Sequence, residues 1–139
     1  MKNTQRKCIR CSQTLMTRHQ LKYCSSNCKA LGVYDKSIRD WKSGIRNGSV
    51  GIQTRIISAS LRRYLLEKYK EKCSMCGWGK RNETSGKIPL EVDHIDGNAE
   101  NNSEKNLRLI CPNCHSLTPH FRNLNKGQGR SWRLKKTRT

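Results

Sequence analysis

Residues 87–115 read KIPLEVDHIDGNAENNSEKNLRLICPNCH, and this stretch decides the fold. Residues 88–94 have the composition of a strand that ends at Asp93 and His94. Asp96-Gly97-Asn98 is a turn signal: glycine supplies positive φ, and Asp or Asn side chains bond their own backbone two residues on. Residues 98–106 are polar and read as loop. Leu107 to Ile110 form a second short strand, and Pro112 suits the first turn of a helix that carries Cys114 and His115. The predicted order is strand, long polar loop, strand, helix.

Two cysteine pairs bracket this unit. Cys73 and Cys76 form one C-x-x-C, and Cys111 and Cys114 form another. Four thiolates in two close pairs suit tetrahedral Zn²⁺, and here they would tie the two ends of a small domain together. Trp78 is expected to pack beside the metal. A second quartet lies upstream, with Cys8 and Cys11 followed by Cys24 and Cys28. So small a segment would hardly fold without its metal. Ile9, Leu15, Met16, Leu21 and Tyr23 are expected to pack around it, and His19 reads as a solvated loop residue. Ser25, Ser26 and Asn27 can cap a helix that starts near Cys28 and runs toward Trp41, with Gly32 as a candidate break.

Residues 44–59 are rich in Gly and Ser and read as a linker. From Ser60 to about Lys72 a helix is predicted, because Leu61, Tyr64, Leu65 and Tyr69 recur on one face. Arg62 and Arg63 decorate other faces. They are candidate phosphate contacts, the alternative being a solvated basic helix.

The chain has 139 residues, a hydrophobic fraction of 33%, a mean hydropathy of -0.90 and a formal charge of +19. A single large apolar core is therefore not expected, and zinc makes up part of the lack. No run of eighteen apolar residues exists, which argues against a membrane span. The N-terminal MKNTQRKCIRC has no apolar signal region, so a reducing, cytoplasmic setting is expected. Residues 73–120 hold five basic and six acidic side chains, so the positive excess lies on either side of them. A near-neutral centre with basic arms points to a polyanion, nucleic acid first. The tail 121–139 adds Arg130, Arg133, Lys135 and Lys136 as backbone-binding candidates, and Trp132 as an anchor or groove contact.

The remaining polar groups suggest chemistry. With four cysteines filling the zinc shell, His115 is free for another task. Asp93 and His94 are good ligands for a catalytic divalent ion, and a histidine beside that ion can act as general base. Hydrolysis of a phosphodiester needs both parts. Neighbouring strand residues point to opposite faces, so Asp93 and His94 can share a centre only where the strand bends or ends.

The combination D-H-I-D-G-N, then N-L-R-L, then C-P-N-C-H closely resembles the HNH endonucleases over Cys73 to about Pro119. The resemblance implies a beta-beta-alpha-metal centre. It implies that His94 activates water, that Asp93 and His115 ligate a catalytic Mg²⁺ or other divalent ion, and that Asn106 supports the base. It also implies structural zinc on Cys73, Cys76, Cys111 and Cys114. The arrangement is similar to small bacteriophage-encoded members, some free-standing and some homing. Double-stranded DNA is then the expected substrate, with 5′-phosphate and 3′-hydroxyl ends, two structural zincs and no membrane partner; a monomer is favoured.

The expected fold is small, α+β and zinc-stabilised: a four-cysteine zinc knuckle and helix (1–43), a linker (44–59), an HNH domain with its leading helix (60–120) and a basic tail (121–139). Two other classes compete. A non-catalytic zinc-bearing DNA-binding protein would explain the charge and cysteines but leave Asp93, His94 and His115 as coincidence. A nuclease accessory to phage DNA packaging would use the same centre.

Overall fold

The computed structural model describes residues 5–50 and 56–127. Arg130, Trp132, Arg133, Lys135 and Lys136 lie outside the described residues. The chain runs through helix α1 (Ser26–Lys42), the two-residue strands β1 (Ser49–Val50) and β2 (Ile56–Ile57), and helix α2 (Ala59–Lys68). Strand β3 (Glu91–His94), strand β4 (Leu107–Ile110) and helix α3 (Pro112–Ser116) follow. No helix among the described residues is long and apolar enough to cross a membrane.

The first knuckle closes with a bridge between Lys7 and Thr14. Only Cys8 and Leu15 are buried there, whereas Ile9, Met16 and Leu21 are exposed. The expected apolar shell is thus kept at Leu15 and corrected at Ile9, Met16 and Leu21: so short a loop has no second layer to cover those side chains. The Ser25 hydroxyl accepts from the Cys28 amide at 3.1 Å and starts α1, which runs unbroken through Gly32. A Cβ at Gly32 would lie 2.5 Å from the Tyr23 ring, so the glycine serves close packing rather than a break.

The linker has more structure than its composition suggests. Ser49 and Val50 pair antiparallel with Ile57 and Ile56. Gly48 has φ +77°, and a Cβ there would meet Leu61 and Trp41. The chain therefore passes tightly over the helices at this point. Ser58 caps α2 by accepting from the Leu61 amide, one residue earlier than expected, and the helix ends at Lys68 rather than Lys72. Lys70 and Glu71 take positive φ, which turns the chain sharply into Cys73.

β3 and β4 pair antiparallel, with Asp93 opposite Arg108 and His94 opposite Leu107. The predicted strand 88–94 shortens to its last four residues, and a 3-10 turn over Glu104–Asn106 precedes β4. Two apolar clusters sit against this hairpin. Cys73, Leu90, Leu109, Ile110 and Cys111 form one, with Trp78 packed beside them as expected. Trp41, Leu61, Leu65 and Leu107 form the other, so α1, α2 and β4 meet in one place. Tyr69 and Val92 touch both clusters and join them.

Candidate active site

The eight cysteines form two separate quartets, Cys8/Cys11/Cys24/Cys28 and Cys73/Cys76/Cys111/Cys114, with the sulfurs of each within 4.8 Å of one another. Four thiolates about 2.3 Å from one zinc would sit about 3.8 Å apart. The Cys11–Cys24 and Cys76–Cys111 separations are 3.5 and 3.7 Å, which fits zinc and is far too long for a disulfide. One thiol in each quartet is prepared as a thiolate. Burial pushes Cys8 up, but backbone hydrogen bonds from Cys11, Arg10 and Cys24 outweigh it and bring the thiol down to about 6. Cys73 reaches about 6 in the same way, against its burial, through backbone bonds from Cys111, Cys76 and Met75. In each quartet a neighbouring thiol is pushed the other way. Cys24 is pushed up to about 12 by the Cys28 and Cys11 sulfurs, and Cys114 to about 12 by Cys76 and by burial. A metal ion would replace the thiol protons.

Between the second quartet and the polar loop lie the predicted site residues. Asp93 is buried on β3. Its Oδ2 accepts from Arg108 Nε at 2.7 Å across the strand pair. Its Oδ1 faces His115 Nε2 at 3.8 Å. The other His115 nitrogen, Nδ1, bonds Glu91 Oε2 at 2.5 Å, and the ring meets Phe121 edge-on at 5.2 Å. His115 reaches this place because Cys111 caps α3 through its sulfur and Pro112 opens the helix. Two ligands about 2.1 Å from one ion can lie up to about 4.2 Å apart. The Asp93 and His115 atoms are within that reach, so these residues fit a divalent ion. Among the described residues, the only groups of three or more ligands are the two cysteine quartets. The Asp93–His115 pair supplies two, which suits an ion that keeps waters and binds substrate phosphate.

His94 ends β3, and its Nε2 lies 2.8 Å from Asn102 Oδ1. The two neighbours thus turn to different partners: Asp93 to β4 and α3, His94 to the loop. Asn106 is buried and staples that loop. Its Oδ1 accepts from the Asp96 amide at 3.0 Å, and its Nδ2 donates to Asp96 Oδ1 and to the Asn101 carbonyl, both at 2.8 Å. Burial works against the Asp96 carboxylate, but hydrogen bonds from Asn101, Asn98 and Asn106 hold it below its usual range. Gly97, with φ +71°, brings the turn against His120, and Asn125 donates to the Gly97 carbonyl.

Arg62 and Arg63 have partners inside the chain. Arg62 donates to the Leu90 carbonyl at 2.7 Å, while Arg63 bonds Glu67 and stacks on Tyr34. Four residues around the centre do not stand out in the sequence. Glu91, two positions before Asp93 on one strand, carries a usable signal in the period-two rule. Asn102 looks like scaffolding among many loop asparagines, and Arg108 and Trp41 give no local signal.

Residues 73–118 match the HNH endonuclease family. Among curated proteins, the chain is 35% identical over 95 residues to the H-N-H endonuclease F-TflIV of Escherichia phage T5, covering 68% of this chain and 40% of that protein. The chain thus spans less than half the length of that relative. No solved structure matches the chain.

Proposed function

We propose that this chain, whose residues 73–118 match the HNH endonuclease family, is a metal-dependent DNA endonuclease of bacteriophage origin that hydrolyses phosphodiester bonds. The observation that carries the reading is the Asp93 Oδ1–His115 Nε2 pair, set at ion-binding distance beside a histidine whose own ring is held. Asp93 and His115 would hold the ion, with Glu91 on Nδ1 orienting the His115 ring so that Nε2 is turned to Asp93. When bound, a Mg²⁺ or similar ion would supply positive charge to the phosphodiester as the bond to the leaving oxygen breaks. His94 accepts the proton of the attacking water through the ring nitrogen that Asn102 does not engage. Asn106 keeps the loop closed behind it. The products are 5′-phosphate and 3′-hydroxyl ends.

The two quartets hold structural zinc. The basic arms, including Arg130, Arg133, Lys135 and Lys136, supply contacts to the duplex backbone. Arg62 and Arg63 can add to these through the guanidinium N–H groups their internal partners leave over. The test is cleavage of plasmid DNA by the wild-type chain and by His94→Ala, each with and without Mg²⁺. Mg²⁺-dependent cleavage that falls at least about a hundredfold in the variant is expected. Wild-type rates in His94→Ala would remove the general base from the mechanism.

A further inference from the structure

We infer that helix α1 is part of the apparatus that aims the general base, through a relay from Trp41 to Asn102 to His94; this rests on the role proposed above for His94. Trp41 Nε1 donates to the Asn102 backbone carbonyl at 2.8 Å, across 61 residues of sequence. Asn102 then presents its side-chain Oδ1 to His94 Nε2 at 2.8 Å. Asn102 is buried, and so is Trp41. The tryptophan has little freedom: it meets Tyr64 edge-on at 5.4 Å, and the Gly48 backbone closes over its ring.

The next turn of the loop is fastened from the same side. Glu104 accepts from the Tyr64 hydroxyl and from Lys68 Nζ at 3.0 Å, and Lys42 Nζ stands 3.5 Å away. The helices thus hold the outer face of residues 102–104, while Asn106 holds the inner face. Without that outer support, a stretch of consecutive polar residues has no apolar reason to keep one shape.

The chemistry follows from which atom faces which. An amide oxygen accepts a proton, so Asn102 Oδ1 selects the Nε2–H tautomer of His94. The lone pair is then on Nδ1, the ring nitrogen that Asn102 does not engage. A base needs that lone pair free and aimed. Asn102 and Trp41 are therefore positioning residues. They act through His94, fixing the tautomer and direction of the group that takes the proton.

Three variants and one spectrum test this in the full zinc-loaded chain. Asn102→Ala should lower kcat about tenfold or more while the KM for DNA stays within about twofold, the pattern of a lost transition-state alignment. Asn102→Asp keeps an acceptor at the same place, so it should recover most of the kcat that Asn102→Ala loses. Trp41→Phe keeps the ring and removes the donor; it should lower kcat several-fold without changing zinc content. Nitrogen-15 NMR of the wild-type imidazole should report the Nε2–H tautomer, a readout that needs no activity. An Nδ1–H tautomer, or an Asn102→Asp chain whose kcat is no higher than that of Asn102→Ala, would overturn the Asn102 role. A folded Trp41→Phe with unchanged kcat would remove α1 from the relay. His94→Ala separates the two readings: wild-type cleavage by that variant would sink the base assignment, whereas the tautomer spectrum bears on Asn102 alone.

Discussion

Arg108 Nε binds Asp93 Oδ2 at 2.7 Å and takes only one of the two carboxylate oxygens. The other, Oδ1, is turned toward His115. The cross-strand register sets this up, because Asp93 and Arg108 are direct partners in the β3–β4 ladder. A buried carboxylate needs a cation, and Arg108 supplies one without occupying the oxygen that faces His115. Arg108→Ala should therefore destabilise the metal-free centre by about 2 kcal/mol. That is below the range for a fully buried pair, because Arg108 retains 21% side-chain exposure. Added Mn²⁺ or Mg²⁺ should return part of the loss, since the ion takes over the neutralising role. Thermal melts with and without divalent ion measure this. A melting temperature equal to the wild type in both conditions would show that Asp93 does not depend on Arg108.

Glu91 addresses His115, the other ligand proposed for the ion. It lies on β3 two residues before Asp93 and reaches His115 Nδ1 at 2.5 Å. A carboxylate on one imidazole nitrogen fixes the proton there and makes the other a better ligand. Glu91→Ala should weaken the divalent ion by about 10–100-fold, the usual scale for losing such an outer partner. Zinc content should not change, because Glu91 belongs to neither quartet. Titrating cleavage against Mn²⁺ reads the first effect, and elemental analysis the second. An unchanged Mn²⁺ requirement would make the Glu91–His115 contact incidental.

Zinc itself offers a sharper count. Both sets of sulfurs are spaced for one tetrahedral ion, and the first knuckle buries little besides Cys8 and Leu15. Its order must come from the metal rather than from apolar contact. Protein washed with a mild chelator should retain two zinc ions per chain and none of the catalytic ion. Cys24→Ser should lose one zinc and disorder the knuckle while Cys73, Cys76, Cys111 and Cys114 keep theirs. Retention of two zincs by that variant would mean that Cys24 is no ligand.

These cases show what can be read from residues and what cannot. The strand–loop–strand–helix order is legible because turn chemistry at Asp96-Gly97-Asn98 and the position of Pro112 are local signals. The cysteine quartets are legible because paired spacing is itself the constraint. Asn102 is not, since nothing local separates it from Asn98 or Asn101; only the fold brings it to His94. Trp41 is further still from local inference, for its partner is 61 residues on. The glycines mislead in a consistent way. Gly32 and Gly48 look like interruptions, yet each makes room for an aromatic ring. A glycine's tolerance of close approach and its tolerance of unusual dihedrals look the same in a sequence.

The last expectation concerns acid. Two carboxylates, Glu67 and Glu104, tie α1 and α2 to each other and to the polar loop, and a third, Asp40, pairs with Lys36 within α1. Glu104 is held below its usual range first by the Tyr64 hydroxyl and then, against its burial, by Lys68 and Lys42. Glu67 is lowered by the Tyr34 hydroxyl and by Arg63, and Asp40 by Lys36. Each binds protons less readily in the folded chain than in the unfolded one. Their stabilisation is therefore fully present above the ordinary carboxylate range, about 4 to 4.5, and is lost as pH falls through the lower folded values. Between about pH 5 and pH 3 the melting temperature should fall, and Glu104→Gln should flatten that slope because Gln cannot titrate. The same variant should lower kcat at neutral pH less than Asn102→Ala does, since Asn102 contacts His94 directly and Glu104 only braces the loop. A Glu104→Gln chain whose acid slope matches the wild type would show that the Tyr64–Glu104 contact carries no pH-dependent stability.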